Sequence, residues 1–493
     1  IINTMSSAGI NIMTMAVTDF SIGNRRLSSV DILVASLLIA SLYIGSIVVK
    51  VLKKYDKKYP PFAPGGMWMH MKMAMSPQLP WWLLNVGNQF QSSVFQVALP
   101  INPTSHFFVV GDSKLMRSIL TDKLSTRPTV LYQNMRNITG GATMLTMNGH
   151  GWNAKRKAAA PAFSSNHVKR MTRVAMKKVD EWIQDTLVGL NEDSSFDVSQ
   201  EMLGIILSAL SETAFEYSMA KQEREMLRGE LKLALVEFIR KSPTNPLRRL
   251  FGQFFPERRR AWLAVHSMRA LIGRFMTKYR NKKEPSNSGT IIQLVMESDA
   301  FPTDEERLSQ LFEFLLAGHD TTAYTISWIL LCLAKHPDEQ SKLRESLSKL
   351  SPENWNNSEY LHRVIKEGMR IYPVARSVRV LGRDFTTSSG VLPKGSICSL
   401  HFLLLFRNPD IFEEPNSFLP SRWENPTRDM LDAFMPFSLG KQNCVGQTLA
   451  KAETFAFVAR ICSQFELSVE CEGTSDFGLT LKPMGVRLRA RKV

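Results

Sequence analysis

One cysteine lies between two glycines just before a predicted helix, and this pattern restricts the chain more than any other feature. The segment FMPFSLGKQNCVGQTLA places Phe437, Gly440, Cys444 and Gly446 in the spacing F-x-x-G-x-x-x-C-x-G. Gly440 permits a tight backbone turn, and Gly446 removes a side chain where a flat ligand would approach the chain closely. A thiolate at the start of a helix is stabilised by the helix dipole and by unpaired backbone N–H groups. We therefore predict that Cys444 binds a metal, the alternative being a buried cysteine beside two loop glycines.

Composition and charge exclude several classes of protein. The 493 residues are 44% hydrophobic and 22% charged, which is ordinary for a globular enzyme with a sizeable core. The five cysteines form no C-x-x-C pair, so we predict neither a disulfide framework nor a structural zinc site, and a reducing compartment fits best. The net charge of +16 comes without zinc-finger or basic-zipper spacing. We therefore predict no nucleic-acid partner, and attribute the excess to a negatively charged membrane surface or an acidic redox partner, the alternative being an ordinary solvated face.

An uncharged apolar run near the N-terminus predicts a membrane anchor. Residues 32–49 read ILVASLLIASLYIGSIVV, close to the roughly 20 residues that a spanning helix needs. Lysines cluster after the run, so the positive-inside rule places the rest of the chain in the cytoplasm. A buried soluble helix is the alternative, and the scarcity of acidic residues before the run leaves an organelle-targeting extension open. We assign residues 1–31 to an N-terminal extension, 32–52 to the transmembrane anchor, 53–66 to a basic and proline-rich hinge, and 67–493 to one large catalytic domain.

The periodicity of apolar residues predicts a mainly α-helical fold with small β-sheets at one side. Alternation in residues 95–99 and 107–110 indicates strands, and helical patterns dominate from Lys114 onward. The segment 372–400 and the tail 476–492 are predicted as short strands and turns. The predicted helices cover 166–190, 201–240, 257–280, 304–335, 337–350, 357–371 and 446–466.

Three further segments complete a resemblance to one family. VIKEGMRIYP carries Glu367 and Arg370 on one helix face, PNSFLPSRW carries Arg422, and LLAGHDTT lies inside a long apolar helix. Together with the cysteine segment, these motifs resemble those of the cytochrome P-450 family and occur in the same order. The resemblance covers roughly residues 60–493. The resemblance implies a single helix-rich domain in which Cys444 is the axial thiolate of haem b, favouring O–O bond cleavage. It also implies that Glu367, Arg370 and Arg422 form a structural network, sensitive to the loss of one member if buried.

The LLAGHDTT motif resembles the oxygen-binding helix of the family. Ala317 and Gly318 would let this helix approach a ligand above the haem, and a threonine hydroxyl that interrupts the helix ladder can open a local bulge. Asp320 and Thr321 would deliver the protons that oxygen reduction consumes. The alternative is a polar notch in a buried helix. His319 is assigned no role, because the family tolerates many residues there.

A haem carries two propionates, so cations or hydrogen-bond donors are expected at its edge. By the resemblance, Trp152 and Arg156 in GWNAKRKAAAPAF contact a propionate, and Arg376 in YPVARSVR is the third partner, with Arg379 as the alternative. The family commonly has Arg or His two positions before the cysteine, where this chain has Gln442. An amide donates a hydrogen bond but carries no charge, so this contact is expected to be weaker or supplied from elsewhere.

The implied function is a monooxygenase that inserts one oxygen atom from O2 into a lipophilic substrate. Electrons would come from NADPH through a flavoprotein reductase that docks on the basic face of the protein. Competing hypotheses are a haem-thiolate hydroperoxide isomerase or dehydratase, a non-catalytic haem-binding protein and a cysteine hydrolase. The implied location is the endoplasmic reticulum membrane, with a plastid or another organelle membrane as the alternative.

An apolar pocket is expected on the distal side, which favours a fatty acid, terpenoid, sterol or xenobiotic as substrate. The segment NPLRRLFGQFFPERRR mixes phenylalanine with arginine, a composition that suits either a lipid headgroup boundary or a charged surface turn. By resemblance, the pocket lining is expected from residues 131–145, 231–255, 312–316, 374–378 and 479–484.

Overall fold

The computed structural model describes most of the chain from Lys57 onward and two short strands before it. The chain divides into two units, residues 1–56 with 102–104 and residues 57–101 with 105–493. In the first unit, Ser21–Ile22 (β1) pairs antiparallel with Arg25–Arg26 (β2). The predicted anchor, residues 32–52, lies outside the described residues, within which no helix has both the length and the apolar character to cross a bilayer. The described residues are 21–22, 25–26, 57–90, 92–98, 106–189, 194–242, 248, 251–282 and 289–493.

Helices make up most of the second unit, in agreement with the apolar periodicity. Short 3-10 turns lie at Ala160–Phe163, Gly252–Phe254, Pro352–Asn357 and Pro420–Trp423, and π-helical turns lie at Ile183–Leu187 and Val236–Lys241. The α-helices are α1 (Met67–Ala74), α2 (Leu79–Phe90), α3 (Ser113–Thr121), α4 (Thr129–Thr139), α5 (Gly149–Ala159), α6 (Ser165–Trp182), α7 (Val198–Ala214), α8 (Lys221–Leu235), α9 (Pro256–Arg280), α10 (Ile291–Glu297), α11 (Asp304–Lys335), α12 (Pro337–Ser348), α13 (Glu359–Ile371), α14 (Phe402–Phe406), α15 (Arg428–Ala433) and α16 (Gln447–Cys462).

Small sheets accompany the helices in the described part of this unit. Their strands are β3 (Val94–Gln96), β4 (Phe107–Val110), β5 (Phe196–Asp197), β6 (Ser377–Val380), β7 (Phe385–Thr387), β8 (Gly390–Leu392), β9 (Ile397–Leu400), β10 (Phe465–Cys471), β11 (Thr474–Phe477), β12 (Leu481–Met484) and β13 (Arg487–Lys492). The largest sheet has the order β3–β4–β9–β6, in which β4 and β9 run parallel and the other pairs antiparallel. The remaining sheets have the orders β10–β13–β5, β11–β12 and β7–β8.

Residues 57–66, assigned by sequence to the hinge, are bonded to these sheets. The N–H of Val391 on β8 donates to the carbonyl of Lys58 at 2.8 Å. The N–H of Ala63 donates to the carbonyl of Gln96 on β3, also at 2.8 Å. This end of the proline-rich segment is therefore held on the domain that follows it.

Helix α11 has the predicted bounds of 304–335 and carries the LLAGHDTT motif. At its N-terminus the side chain of Thr303 accepts a hydrogen bond from the N–H of Glu306 at 3.2 Å. The acidic residues in its first turn are stabilised by the positive end of the helix dipole. Its segment from Leu311 to Leu316 belongs to one hydrophobic cluster, whereas Ala323 and the residues after it belong to another. The polar motif therefore lies between the two cores.

The predicted helix over residues 201–240 is wrong in one respect, because the structure divides it into α7 and α8. Glu216 follows α7 with φ +51°, in the left-handed region that ends a helix. The N–H of Tyr217 returns to the carbonyl of Ser211 at 2.9 Å, and Thr290 donates to the Glu216 carboxylate at 2.9 Å. Apolar periodicity does not detect this break because it depends on a tertiary contact at one residue.

Candidate active site

Backbone hydrogen bonds fix the cysteine loop between α15 and α16. The N–H of Cys444 donates to the carbonyl of Phe437 at 3.0 Å, and the N–H of Asn443 donates to that of Gly440 at 3.3 Å. Gly440 has φ +71°, and a Cβ at this position would overlap the carbonyl oxygen of Leu120. Residue 440 must therefore be glycine, for its backbone conformation and for the space it leaves.

The side chain of Cys444 faces an internal cavity. It has a large accessible surface although protein atoms surround it densely, which is the combination that a cavity wall produces. Burial raises the pKa of its thiol, while the N–H of Gly446 and the guanidinium of Arg156 oppose that rise. Gly446 is the N-cap of α16, so the positive end of the helix dipole lies near the sulfur. A Cβ on Gly446 would lie 3.5 Å from the ring of Phe163, so protein packing alone does not require this glycine.

The cavity, named the cysteine cavity below, has a volume of about 250 Å³ and is bordered by α11 and the cysteine loop. Thr321 lines it from the helix, and Phe437 and Cys444 line it from the loop. The predicted segment 374–378 also contributes to the wall. The fold therefore brings residues far apart in the sequence to one space.

Arginines line the cysteine cavity and are crowded by protein. The guanidinium of Arg376 lies 4.9 Å from the ring centre of Phe477, and burial lowers the pKa of this arginine. Arg379 donates from Nη1 to the hydroxyl of Ser377 at 2.8 Å, whereas its Nη2 is buried without a hydrogen-bond partner among the described residues. Burial and the charge of Arg127 lower the pKa of Arg379 to about 10. Such a group of cations on a cavity wall favours an anionic partner.

Arg127 is a cation of this wall that the sequence analysis missed. It donates from Nη1 to the carbonyl of Met144 at 2.6 Å and from Nη2 to that of Gln442 at 3.2 Å. Its guanidinium lies 6.0 Å from the ring centre of Trp152. An arginine thus lies beside the position where the family commonly has Arg or His. Nothing in the sequence distinguishes Arg127 within a chain that has 61 lysines and arginines.

Trp152 and Arg156 lie on α5, next to the cysteine loop. Arg156 donates from Nη1 to the carbonyl of Asn443 at 2.9 Å and from Nη2 to its side-chain oxygen at 2.7 Å. Burial lowers the pKa of Arg156, while the charge of Cys444 opposes that effect. In this structure Arg156 therefore braces the residue before the cysteine, a contact that the sequence did not predict.

The LLAGHDTT motif differs from expectation in one respect, the expected bulge. A Cβ on Gly318 would lie 3.0 Å from Leu210 on α7, so the missing side chain allows these two helices to pack closely. The hydroxyl of Thr321 donates to the carbonyl of Ala317 at 2.8 Å. No bulge opens there, because Asp304–Lys335 is one continuous α-helix. Ala317 is exposed within this mostly buried helix.

Asp320 borders a different cavity from its neighbour Thr321. It is 3% exposed and lines a cavity of about 440 Å³ bordered by α8, α11 and the β11–β12 hairpin, named the polar cavity below. The Nδ1 of His319 lies 3.0 Å from the Oδ1 of Asp320. Burial alone would raise the pKa of Asp320, but His319 and Lys482 hold it below its usual value. The acid and the hydroxyl, adjacent in the sequence, thus border two separate spaces.

The structure brings Glu367, Arg370 and Arg422 together. Arg370 donates to the Glu367 carboxylate from Nε at 2.9 Å and from Nη2 at 2.8 Å, and Arg422 donates from Nε at 2.9 Å. The N–H of Leu419 and the indole of Trp423 reach the same carboxylate, each at 2.9 Å. The network joins α13 to the segment that precedes the cysteine loop.

A helix-rich fold with a glycine-fixed cysteine beside a cationic cavity is typical of haem-thiolate proteins. The chain matches the family Cytochrome P450 over residues 64–488, and it belongs to that family. It is a cytochrome P450 monooxygenase.

Curated relatives agree with this assignment. Cytochrome P450 4A6 of Oryctolagus cuniculus is 28% identical over 386 residues, which cover 72% of this chain and 75% of that protein. Cytochrome P450 4F8 of Homo sapiens is 24% identical over 390 residues, with shares of 72% and 74%. Taurochenodeoxycholic 6 alpha-hydroxylase of Sus scrofa is 27% identical over 423 residues, with shares of 79% and 83%.

The family implies a haem, and the residues of the cysteine cavity fit one. Cys444 offers a sulfur on the wall, and the unpartnered Nη2 of Arg379 offers a buried donor for a carboxylate. The space beside Gly446 is free, because a side chain at this position would not collide with the protein. A flat dianionic group with a metal centre therefore matches the chemistry of this wall.

Proposed function

We propose that Cys444 is the axial thiolate of haem b and that oxygen from O2 is inserted into a lipophilic substrate in the cysteine cavity. The observation that carries the proposal is that Cys444 and Thr321 line one cavity. When bound, the haem supplies the iron at which O2 is reduced and its O–O bond is broken. Burial raises the pKa of the Cys444 thiol and so disfavours a free thiolate. A bound metal cation would stabilise the ionised sulfur.

The arginines of the cavity wall would hold the haem propionates. Arg379 is the preferred partner, because its Nη2 is buried without a described acceptor, whereas Arg376 already lies over Phe477. Arg127 would supply the charge that Gln442 lacks, since it donates to the carbonyl of that residue. Arg156 would then act on the loop, through Asn443, more than on the haem itself.

Asp320 and Thr321 would move protons toward the site of oxygen reduction. The lowered pKa of Asp320 keeps its carboxylate ionised, so it can accept a proton from water in the polar cavity. The hydroxyl of Thr321, which now donates to the helix backbone, would pass the proton on after rotating toward the cysteine cavity.

The substrate is expected to be lipophilic because part of the wall of the cysteine cavity, apart from its arginines, is apolar. Leu145, Met369, Val374, Ala375 and Phe402 line it. A fatty acid, terpenoid, sterol or xenobiotic satisfies this chemistry. One relative, from Sus scrofa, is named for a 6 alpha-hydroxylation of a taurochenodeoxycholic compound, which favours including a steroid among the candidates.

The enzyme would work at the endoplasmic reticulum membrane with its catalytic domain in the cytoplasm. The apolar residues 32–52 would anchor it, and an NADPH-dependent flavoprotein reductase would reduce it. Large apolar side chains on the surface of the domain favour further lipid contact: Trp68 is 79% exposed, Phe254 72% and Leu263 68%. Phe254 lies in the arginine and phenylalanine segment that the sequence assigns to a lipid boundary or a charged turn.

The proposal is tested by isotope incorporation. Full-length protein in phospholipid vesicles with a flavoprotein reductase and NADPH is supplied with ¹⁸O2 and a substrate panel of lauric acid, geraniol, cholesterol and 7-ethoxycoumarin. We expect one ¹⁸O atom per product molecule in at least one case, and no product without NADPH. Products formed from a fatty-acid hydroperoxide without NADPH or ¹⁸O would instead indicate an isomerase or dehydratase. Absence of any oxidised product would overturn the assignment of substrate class.

The anchor is tested by fractionation. We expect that deleting residues 1–59 moves most of the protein from the membrane pellet to the soluble fraction. Full retention in the pellet would show that the domain surface, including Trp68 and Phe254, suffices for membrane binding.

A further inference from the structure

His319 has surroundings that a residue without a role would not need. Its side chain is 2% exposed, its Nδ1 lies 3.0 Å from Asp320 Oδ1, and it lines the polar cavity. Its Nε2 is buried without a hydrogen-bond partner among the described residues. Buried ring nitrogens are normally hydrogen-bonded, so packing alone does not explain this position of His319.

The polar cavity connects Asp320 with the surface. Glu225 and Lys232 on α8 line it and are exposed, whereas Asp320 is almost completely buried. A cavity of about 440 Å³ accommodates several waters between these residues. Water from the surface can therefore reach the acid without passing through the cysteine cavity.

Several charged side chains that line the polar cavity contact groups other than His319. Arg240 pairs with Asp476, and Arg228 donates to the side chain of Gln200. Lys482 on β12 lies over the ring of Tyr324, with its Nζ 5.7 Å from the ring centre. Among the described residues, His319 lies within hydrogen-bond distance of the Asp320 carboxylate, at 3.0 Å. The remaining charged lining residues, Glu225 and Lys232, lie on α8.

We propose that His319 is a positioning residue for proton delivery. Its Nδ1–H holds one oxygen of Asp320, so that the other oxygen receives protons from water in the polar cavity. A carboxylate only accepts, so Nδ1 carries the hydrogen of this contact. Each proton converts Asp320 to the acid and leaves again toward Thr321, while His319 keeps its own proton. This inference rests on the proposed relay through Asp320 and Thr321.

The test compares four variants in the reductase system with the fastest substrate of the panel. His319→Phe removes the donor, His319→Gln keeps an amide donor, Asp320→Asn removes the acid, and Ser327→Ala is the matched control. Ser327 is a buried polar residue on the same helix whose hydroxyl donates to the carbonyl of Ala323, away from both cavities. The readouts are product formed per NADPH, peroxide released per NADPH, and the solvent isotope effect on product formation.

We expect His319→Phe to lower the product per NADPH about tenfold, a typical loss for a residue that orients a functional group. Peroxide should rise correspondingly and the solvent isotope effect should increase. His319→Gln should recover part of the loss, and Ser327→Ala should match the wild type. Recovery by Gln also keeps the test decisive if the Phe variant folds poorly.

A second readout needs no turnover. Without the donor the pKa of Asp320 should rise, because burial raises it and His319 opposes that rise, while the opposing charge of Lys482 remains. In a pH titration, a carboxylic-acid C=O infrared band should therefore appear in His319→Phe at pH values where the wild type shows none, and it should be absent from the double variant with Asp320→Asn. Wild-type coupling in His319→Phe with no new band would overturn the role of His319. Wild-type coupling in Asp320→Asn would instead overturn the relay itself.

Discussion

Arg370 and Glu367 form two hydrogen bonds, of 2.9 Å and 2.8 Å, although neither side chain is exposed at all. A second guanidinium, that of Arg422, reaches the same carboxylate. Two guanidinium groups share one carboxylate, and their remaining N–H groups donate to backbone carbonyls. Arg370 donates to those of Phe406, Pro415 and Ser417, and Arg422 to those of Glu413 and Glu414.

Glu367→Ala should therefore destabilise the protein strongly. Two buried guanidinium groups would lose their counter-charge, which costs about 3–5 kcal/mol. Urea unfolding of the purified protein checks this. Glu359→Ala is the control, since Glu359 pairs with Arg363 but its side chain is 85% exposed, and we expect a change below about 1 kcal/mol. Equal effects of the two substitutions would contradict a structural role for the network.

Gly440→Ala should lower the free energy of unfolding by more than the strain of its backbone conformation accounts for. Gly440 and Gly485 have similar φ values, +71° and +68°, but a Cβ meets the Leu120 carbonyl at the first and nothing within 4 Å at the second. Gly485→Ala should cost only the strain, about 1–2 kcal/mol. Gly440→Ala should cost about 1–3 kcal/mol more because of the overlap. Similar unfolding midpoints for both variants would show that the loop adjusts without loss.

These two features were accessible from sequence to different degrees. The cysteine loop follows from a short motif at fixed spacing, the bounds of α11 follow from apolar periodicity, and the three members of the ion network follow from the family resemblance. The sequence placed Asp320 beside Thr321, yet a helix turns about 100° per residue, so the two side chains border different cavities. Gly318 likewise faces Leu210, a neighbour that only the tertiary packing of α7 supplies.

Residues that act through distant contacts were missed. Arg127 and Cys444 are separated by more than half of the chain, and no periodicity relates them. His319 is assigned no role from sequence because the family tolerates many residues there, whereas its place on a cavity formed by α8 and β12 appears only in the structure. Arg156 contacts Asn443, which local pattern does not reveal.

Arg379→Gln should weaken haem retention more than Arg376→Gln. Arg379 has a buried Nη2 without a described acceptor, whereas Arg376 already has the ring of Phe477 as a neighbour. Losing a charge-assisted hydrogen bond worth about 1.5–3 kcal/mol should speed haem transfer to apomyoglobin at least tenfold in the first variant. A larger effect of Arg376→Gln would reverse the assignment.

Glu453→Gln should stabilise the protein more at pH 8 than at pH 5. Burial raises the pKa of Glu453 from 4.5 to about 8. The folded state therefore keeps the acid protonated in a range where the unfolded chain releases it, so stability is lost as pH rises from about 4.5 through 8. Glutamine has nearly the same shape and does not titrate. Thermal unfolding at both pH values measures the difference, and a pH-independent effect would contradict the shift.

The absorption spectrum of the dithionite-reduced protein under carbon monoxide tests the central claim most directly. Wild type and Cys471→Ala, which removes another exposed cysteine, should show the long-wavelength Soret band of thiolate-ligated haem. Cys444→Ala should lose that band while its far-ultraviolet circular dichroism remains helical. A thiolate-type band that persists in Cys444→Ala, or a wild-type spectrum typical of a nitrogen ligand, would contradict the assignment of this sulfur to the iron.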